Sequence, residues 1–517
     1  MSSITYATVY TEGLGDEELS RAYERTLTKL RAGESRVGLH RIGGERLDAG
    51  AAFERTDPSE PARVVSRGHE GGRELVDRAV TDSRRALPAW RRLEWQERAS
   101  ILGRTVPRLK ERAVELAALL SLETGKTRAD AFAEAEECAA IVELYMRQLE
   151  AANGFVVEQT APSASAAARV VLCPYGVFGV IAPFNFPLAI PFGMVAAALI
   201  CGNTVVFKPS GLTPGCGDAF ADLFEDVGLP SGVLNVVHGG APTGQALSES
   251  AVDGIAFTGS AKVGLDIVGR LGRPPFVRPV LAEMGGKNPA IVTDAAADLD
   301  IAARAVARSA FGMSGQKCNA CSRAVVTHGV YDEFADRVSS IAAELRVSDP
   351  IDATAFTGPL ISDVAKRRFE DAVATADRDG RVRTGGTALP SPGHFVECTV
   401  VDGLPNGHEL AREELFVPLL TLVRVDDFDA AIAEANAIRY GLAAGIFSAD
   451  ETEQQRFLDE IEAGIVFVNN PGGATTGVWP GSQTMSGWKG SGSSGKGGFG
   501  PWYLEQFMRE QSRTVVG

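Results

Sequence analysis

The chain has 517 residues, 45% apolar and 23% charged, with 57 glycines and 26 prolines; this describes a globular protein of about two to four domains and excludes intrinsic disorder, because there is ample apolar surface to bury. It carries 51 Lys and Arg against 66 Asp and Glu, a net charge of −15, which excludes nucleic acid as a partner, since phosphate binding needs a basic patch. The seven cysteines (Cys138, Cys173, Cys201, Cys216, Cys318, Cys321 and Cys398) are odd in number and irregularly spaced, which predicts free thiols in a reducing cytoplasm rather than a disulfide framework.

The opening residues, MSSITYATVYTEGLGDEEL, lack a basic segment followed by an apolar one, so no secretory signal is expected. Residues 1–40 read as polar and partly helical, with Leu19, Tyr23 and Leu27 at helical spacing. Short strands are expected around Ile42-Gly43-Gly44 and Thr56-Asp57-Pro58. Residues 73–150 read as helices: Leu75, Val76, Ala79 and Val80, then Leu102, Val106 and Leu109, follow the 3.6-residue period. Residues 151–169, rich in alanine, read as a projecting hairpin.

No charge lies between Arg169 and Lys208, yet Pro174, Pro183, Pro187 and Pro191 interrupt the stretch. It therefore reads as strand, loop, helix and strand buried in an α/β core, not as a membrane span. From 170 to 282 strand-like pieces (179–181, 204–207, 233–237, 254–257, 280–282) alternate with helix-like ones (188–201, 215–227, 242–250, 261–271). Such alternation implies a parallel sheet with helices on both faces. A second α/β series follows: strand 290–292, helix 298–311, strand 324–327, helix 331–345, and strands near 419–425, 442–447 and 465–468. Glycine is densest between Gly464 and Gly500, which marks a looping segment.

Four segments carry chemistry. Gly315-Gln316-Lys317-Cys318-Asn319-Ala320-Cys321-Ser322-Arg323 places a cysteine in a turn between helix and strand, the position of a nucleophile. In Leu281-Ala282-Glu283-Met284-Gly285-Gly286-Lys287-Asn288-Pro289 a carboxylate ends a strand before two glycines. Ile181-Ala182-Pro183-Phe184-Asn185-Phe186-Pro187 runs from a strand into a proline-bounded loop, and Val205-Val206-Phe207-Lys208-Pro209-Ser210 delivers a lysine at a strand's carboxyl end. In a parallel α/β sheet that edge binds ligands. Cys318-x-x-Cys321 has no second pair or histidine cluster to complete a zinc site, so no metal is expected.

Together with Phe257-Thr258-Gly259-Ser260, Gly264, Glu413-Glu414-Leu415-Phe416 and Gly464 to Asn469, these segments resemble the aldehyde dehydrogenase superfamily over nearly the whole chain. The resemblance implies an α/β fold with two Rossmann-like parallel-sheet domains and a small bridging β-hairpin that makes a homodimer or higher homo-oligomer. Residues 1–150 and 172–282 would bind NAD(P), 283–480 would form the catalytic domain, 151–171 and 499–517 the bridge, and 481–498 a glycine-rich loop on the substrate side. It implies Cys318 as nucleophile, Glu283 as the base for the thiol, the hydrolytic water or both, and Asn185 with the Cys318 backbone N–H as oxyanion donors. Ile181, Ala182, Pro183, Phe184, Lys208, Ser210, Gly211, Gly244, Phe257, Gly259, Ser260, Met284, Glu414 and Phe416 would meet the cofactor. A pyrophosphate suits the helix start after Gly259-Ser260. NAD is the expected cofactor. Gly211 stands where many members carry a glutamate that binds the ribose hydroxyls, so nothing there would repel a 2′-phosphate and NADP stays open. Val417, where glycine is usual, allows a backbone shift.

The segment around Cys318 and the tail (Thr476 to Trp479, Gly487 to Gly492, Gly497-Gly498, Tyr503-Leu504) resemble the L-glutamate-γ-semialdehyde (1-pyrroline-5-carboxylate) dehydrogenase branch. The resemblance implies a carboxylate-bearing semialdehyde, glutamate γ-semialdehyde first, met by Phe186, Asn319, Gly477, Val478 and Trp479. Asn319 replaces the branch's usual serine, Trp479 replaces a smaller aliphatic residue and is expected to narrow the pocket, and Met485-Ser486 depart from the common Phe-Gly. Another aliphatic, semialdehyde or aromatic aldehyde is the alternative. Glu283 argues against a CoA-acylating enzyme, and the four residues Cys318, Glu283, Asn185 and Lys208 argue against a catalytically silent protein on this fold.

Overall fold

The apolar runs Val177–Ile181 and Thr204–Lys208 are buried along their whole length and form the middle of a seven-stranded sheet. The computed structural model describes residues 17–517, so the expectations for residues 1–16 lie outside the described residues. The order across the sheet is Val280–Met284, Gly254–Gly259, Val177–Ile181, Thr204–Lys208, Leu234–Val236, His40–Ile42, Glu45–Leu47. The first five are parallel. The last two form an antiparallel hairpin that turns through Gly43 and Gly44 at φ of 62° and 87°, values that glycine adopts without steric cost.

After the edge hairpin, the parallel series starts near the middle of the sheet at Val177–Ile181, moves out to Leu234–Val236, then returns to the other side at Gly254–Gly259. That reversal opens a crevice at the carboxyl ends of the strands. Ile181, Lys208, Gly259 and Glu283 all lie at this edge. Helix Ala189–Ile200 is apolar and almost wholly buried, and packs on helix Arg128–Ala151. The uncharged stretch is therefore mostly core from Gly176 onward, while residues 170–174 are half-buried in a strand outside this sheet, and among the described residues no helix is long and apolar enough to cross a membrane.

A second seven-stranded sheet runs Arg381–Thr384, Thr399–Asp402, Leu419–Val425, Cys321–Thr327, Asn288–Val292, Ala443–Phe447, Ile465–Val468. All its pairings are parallel except the edge pair Arg381–Thr384 with Thr399–Asp402. Only Gly285, Gly286 and Lys287 separate the end of the first sheet's strand at Met284 from the start of the second's at Asn288. The carboxyl edge of one sheet thus faces the amino edge of the other. A third, antiparallel sheet joins Met508–Val516, Ala166–Pro174 and Val156–Gln159.

Several boundaries differ from expectation. A division between 282 and 283 cuts the strand Val280–Met284, whose pairing with Gly254–Gly259 continues to Met284. The hairpin strand extends past 171 to Pro174, because Met508 pairs with Pro174. Residues 499–507 do not all belong to the bridge: Tyr503, Leu504 and Phe507 are buried in the largest core. Helices Asp363–Asp379, Phe428–Asn436 and Glu451–Glu460 were not foreseen.

One buried ion pair secures the start of helix Ala189–Ile200 and the loop before it. Glu134, 0% exposed, accepts hydrogen bonds from the N–H groups of Leu188 (2.8 Å) and Ala189 (3.1 Å) and pairs with the buried Lys126. Removing one member of such a pair leaves an uncompensated buried charge, which costs about 3–5 kcal/mol. Glu134→Ala is expected to lower unfolding free energy by about that amount in urea titrations; a change under about 1 kcal/mol would show that the pair does not hold this region.

Candidate active site

The turn that presents Cys318 is held against its own conformational preference. Helix Leu299–Phe311 ends in Met313, Ser314 and Gly315, with φ of 56°, 54° and 68°. Methionine and serine seldom adopt this left-handed region, and other groups fix them there: the Ser314 N–H donates to Thr357 Oγ1 (2.6 Å) and its hydroxyl to the Gly358 carbonyl (2.5 Å). Gly315 has no alternative, since a Cβ would lie 2.4 Å from the Val417 carbonyl oxygen. Past the turn, Asn288 Nδ2 donates to the carbonyls of Cys318 (2.9 Å) and Ala320 (2.8 Å), and Thr475 Oγ1 donates to that of Asn319 (2.7 Å). Asn288 accepts in turn from the Ala443 N–H. Sequence reasoning missed Asn288, although a polar residue at the start of a buried strand was the available signal.

Cys318 and Glu283 line one cavity of about 100 Å³, with Phe186, Asn319, Gly477 and Val478. Phe186 carries the Lys126 ammonium 3.9 Å from its ring centroid. Glu283 Oε1 accepts from the Gly498 N–H (2.7 Å). Burial pushes its carboxyl up to about 7, against the opposing effect of that hydrogen bond. Burial, then the charges of Glu414 and Glu283, push the Cys318 thiol up to about 12. The thiol is therefore protonated at neutral pH, beside a carboxyl that can take a proton there. Asn185 is buried and donates from Nδ2 to the Gln316 carbonyl (3.0 Å), which ties it to the turn that carries Cys318 and leaves one amide N–H over.

The cavity differs from expectation at two residues. Trp479 is buried but does not line it; its backbone N–H donates to Gln483 Oε1 (3.2 Å) in a tight turn, so it does not narrow the pocket. Met485 and Phe499 line the wall instead, and Met284 lines this cavity rather than the cofactor groove. The glycine-rich segment also holds the strand end that carries Glu283: the Met284 N–H donates to the Ser491 carbonyl (2.9 Å), and Ser491 Oγ donates to the Gly285 carbonyl (2.7 Å).

A wider groove of about 620 Å³ gathers Ile181, Ala182, Lys208, Ser210, Gly211 and Gly244, with Glu70 and Gly240. Lys208 Nζ donates to the carbonyls of Pro209 (2.6 Å) and Gly239 (3.2 Å), so one of its three N–H groups remains. Burial lowers its pKa to about 8. A buried ammonium with a spare donor, walled by glycine backbone, fits an adenosine ribose. Beyond the groove, Ser260 caps helix Ala261–Leu271 without a side-chain bond. Glu414 Oε1 accepts from the Gly286 N–H (3.0 Å), and burial pushes its carboxyl up to about 7. Phe416, at φ 60°, meets Phe184 edge-on with centroids 5.9 Å apart. Phe257 lies in the core instead, under Gly259, where a Cβ would come within 2.6 Å of its ring. Among the described residues no cluster of His, Cys, Asp and Glu could hold a metal ion, and all seven cysteines are free.

The model of the aldehyde dehydrogenase family matches residues 47–513. A 1-pyrroline-5-carboxylate dehydrogenase of Geobacillus thermodenitrificans is 36% identical over 502 residues, 96% of each chain. A solved 1-pyrroline-5-carboxylate dehydrogenase from Thermus with bound NAD superposes with a TM-score of 0.92 at 31% identity, covering 97% of both chains. Proline utilization A from Bdellovibrio bacteriovorus gives 0.91 at 30% identity over 96% of this chain, which spans only 52% of that protein. The chain belongs to the aldehyde dehydrogenase family, and the family and the α/β architecture expected from the sequence are borne out.

The electrostatics of the cavity are open to a direct test. Alkylation of Cys318 by iodoacetamide, followed by peptide mass spectrometry, is expected to accelerate about tenfold per pH unit and still to be rising at pH 10. A rate half-maximal near pH 8.5 and level by about pH 10, as for an unperturbed cysteine, would contradict the carboxylate-flanked thiol.

Proposed function

We propose that this enzyme of the aldehyde dehydrogenase family oxidises L-glutamate γ-semialdehyde to glutamate with NAD. The observation that carries the reading is one cavity holding Cys318, Glu283 and Asn319, beside a glycine-walled groove with the buried Lys208. Cys318 Sγ attacks the aldehyde carbon while its proton passes to Glu283. The oxygen left negative takes hydrogen bonds from the free Asn185 amide N–H and the Cys318 backbone N–H, each worth about 3 kcal/mol of barrier. NAD, when bound, accepts the hydride that leaves the carbon. Lys208 would hold its adenosine ribose and Glu414 its nicotinamide ribose. Glu283, having released that first proton to solvent, then takes one from the water that cleaves the thioester and gives it to the departing Cys318 sulfur, which restores the thiol.

Two features favour an amino-acid semialdehyde. The Asn319 side chain and the backbone at Gly477 and Val478 offer donors to a carboxylate. Opposite in character is Glu137, also on the cavity wall, whose carboxyl is pushed up to about 8 by burial and by Glu134. Largely uncharged alone, it does not repel the substrate's carboxylate, and an α-ammonium beside it would favour its ionised form. Thermus and Geobacillus relatives named for 1-pyrroline-5-carboxylate support the same substrate. The antiparallel sheet exposes Val157, Val515 and Val516, a surface suited to pairing with a second copy of the chain, and free thiols suit the cytoplasm.

Steady-state kinetics decide the matter. Glutamate γ-semialdehyde is expected to exceed succinate semialdehyde, hexanal and benzaldehyde by at least about tenfold in kcat/KM, and Cys318→Ala to lose at least about a thousandfold. If hexanal or benzaldehyde led by about a hundredfold, the substrate assignment would fall; full turnover by Cys318→Ala would remove the nucleophile.

A further inference from the structure

The cofactor groove contains a carboxylate that comes from outside the strand-and-helix series forming it. Glu70 follows strand Glu60–His69 and lines the groove together with Lys208, Ser210, Gly211 and Gly240. Its position is fixed from several sides. Its N–H donates to the Ala51 carbonyl (2.9 Å), and the next residue, Gly71, donates to the His238 carbonyl (2.9 Å). Its carboxylate accepts from the Gly240 N–H at 3.1 and 3.0 Å and from Thr243 Oγ1 at 2.7 Å.

These contacts tie Glu70 to the start of helix Ala241–Glu249, and capping that helix is the plain structural reading. Two further observations go beyond it. First, a carboxylate can accept about four hydrogen bonds, so Oε2, engaged only by the shared Gly240 N–H, keeps acceptor capacity in the groove. Second, Glu70 holds the Gly239–Gly240 backbone against Gly211, where a Cβ would meet the Gly239 oxygen at 3.3 Å and Gly240 Cα at 3.4 Å. A side chain at the position that would otherwise carry a ribose-binding glutamate would press on the segment that Glu70 holds, which would have to give by a few tenths of an ångström. The groove's second cation, Arg270, is already paired with Glu249 (2.8 Å) and Asp266 (2.7 Å).

Resting on the cofactor reading above, we propose that Glu70 is a specificity-determining residue: it accepts a hydrogen bond from the adenosine ribose 2′-hydroxyl of NAD and repels the 2′-phosphate of NADP, in place of the carboxylate absent at Gly211. Two like charges in one half-buried groove disfavour each other, and the repulsion is screened by salt.

Isothermal titration calorimetry on the full-length protein, without aldehyde, tests this with NAD and NADP as the probes. The wild type is expected to bind NAD at least about tenfold more tightly than NADP. Glu70→Gln keeps an oxygen for the Gly240 N–H but loses the charge; it should bind NADP about tenfold better and shrink the preference to about threefold or less, with little change in Tm. The wild-type preference should also narrow as salt rises from 0.05 to about 0.5 M. A Glu70→Gln variant that weakens both dinucleotides equally, with an unchanged ratio, would leave only the capping role and overturn the proposal. Equal wild-type affinities would overturn it as well. Failure of the wild type to bind either dinucleotide would sink the cofactor reading itself, and this inference with it.

Discussion

The active site depends on one close approach, the end-to-end meeting of two sheets across Gly285 and Gly286. Strand Val280–Met284 delivers Glu283, strand Asn288–Val292 begins after only three intervening residues, and the turn carrying Cys318 must fit into the gap. A Cβ on Gly285 would lie 2.0 Å from Glu414 Oε2, and one on Gly286 would lie 2.5 Å from the Cys318 carbonyl oxygen. The Cys318 carbonyl is backbone and cannot swing aside, and the Glu414 carboxylate would have to leave the Gly286 N–H. Because both positions are bare, Glu283, the turn carrying Cys318 and Glu414 can converge, and the Gly286 N–H remains available to hold Glu414. Asn288 then ties the turn to the strand on the other side of the junction.

The same junction explains the electrostatics. Enclosing Glu283, Glu414 and Glu137 between packed elements raises each carboxyl to between about 7 and about 8, so they are partly or largely uncharged at neutral pH. A chain of net charge −15 can thereby present a site that does not repel an anionic ligand. What attraction exists is local: the Lys208 ammonium, backbone N–H groups and glycine-lined walls. Polar ties to backbone, such as those of Asn288, Thr475 and Ser491, fix the geometry with neutral donors. Neutral ties add no further charge to a cavity in which the thiol is already held far from ionisation.

Much of this was legible in the sequence, for identifiable reasons. The strands at 177–181, 204–208, 254–259 and 280–284 are buried on both faces and read as short apolar runs bounded by glycine or proline, and their carboxyl ends gave the place of Lys208 and Glu283. Cys318 was marked by its turn between helix and strand. The failures share a cause: they are residues whose role depends on contacts distant in sequence. Ser491 is reached only through a loop closing over 206 residues onto Gly285. Glu70 meets the groove from an N-terminal hairpin 170 residues before Gly240. Phe257 and Trp479 sit in recognisable segments but turn into the core, a choice made by neighbours on other elements. Helix Asp363–Asp379 was readable, with Ala365, Phe369, Ala372, Val373 and Ala376 buried at helical spacing, but carries no chemistry that would draw attention to it.

The bare backbone at the junction lets Glu283 and Cys318 come together in one cavity. Stopped-flow measurement of the first turnover of NADH formation by Gly286→Ala tests it most directly. The account predicts a rate at least about a hundredfold below wild type, the order of loss expected when a reacting group is displaced by about 1 Å, with NAD affinity and far-UV circular dichroism preserved. A first-turnover rate within about twofold of wild type would contradict it.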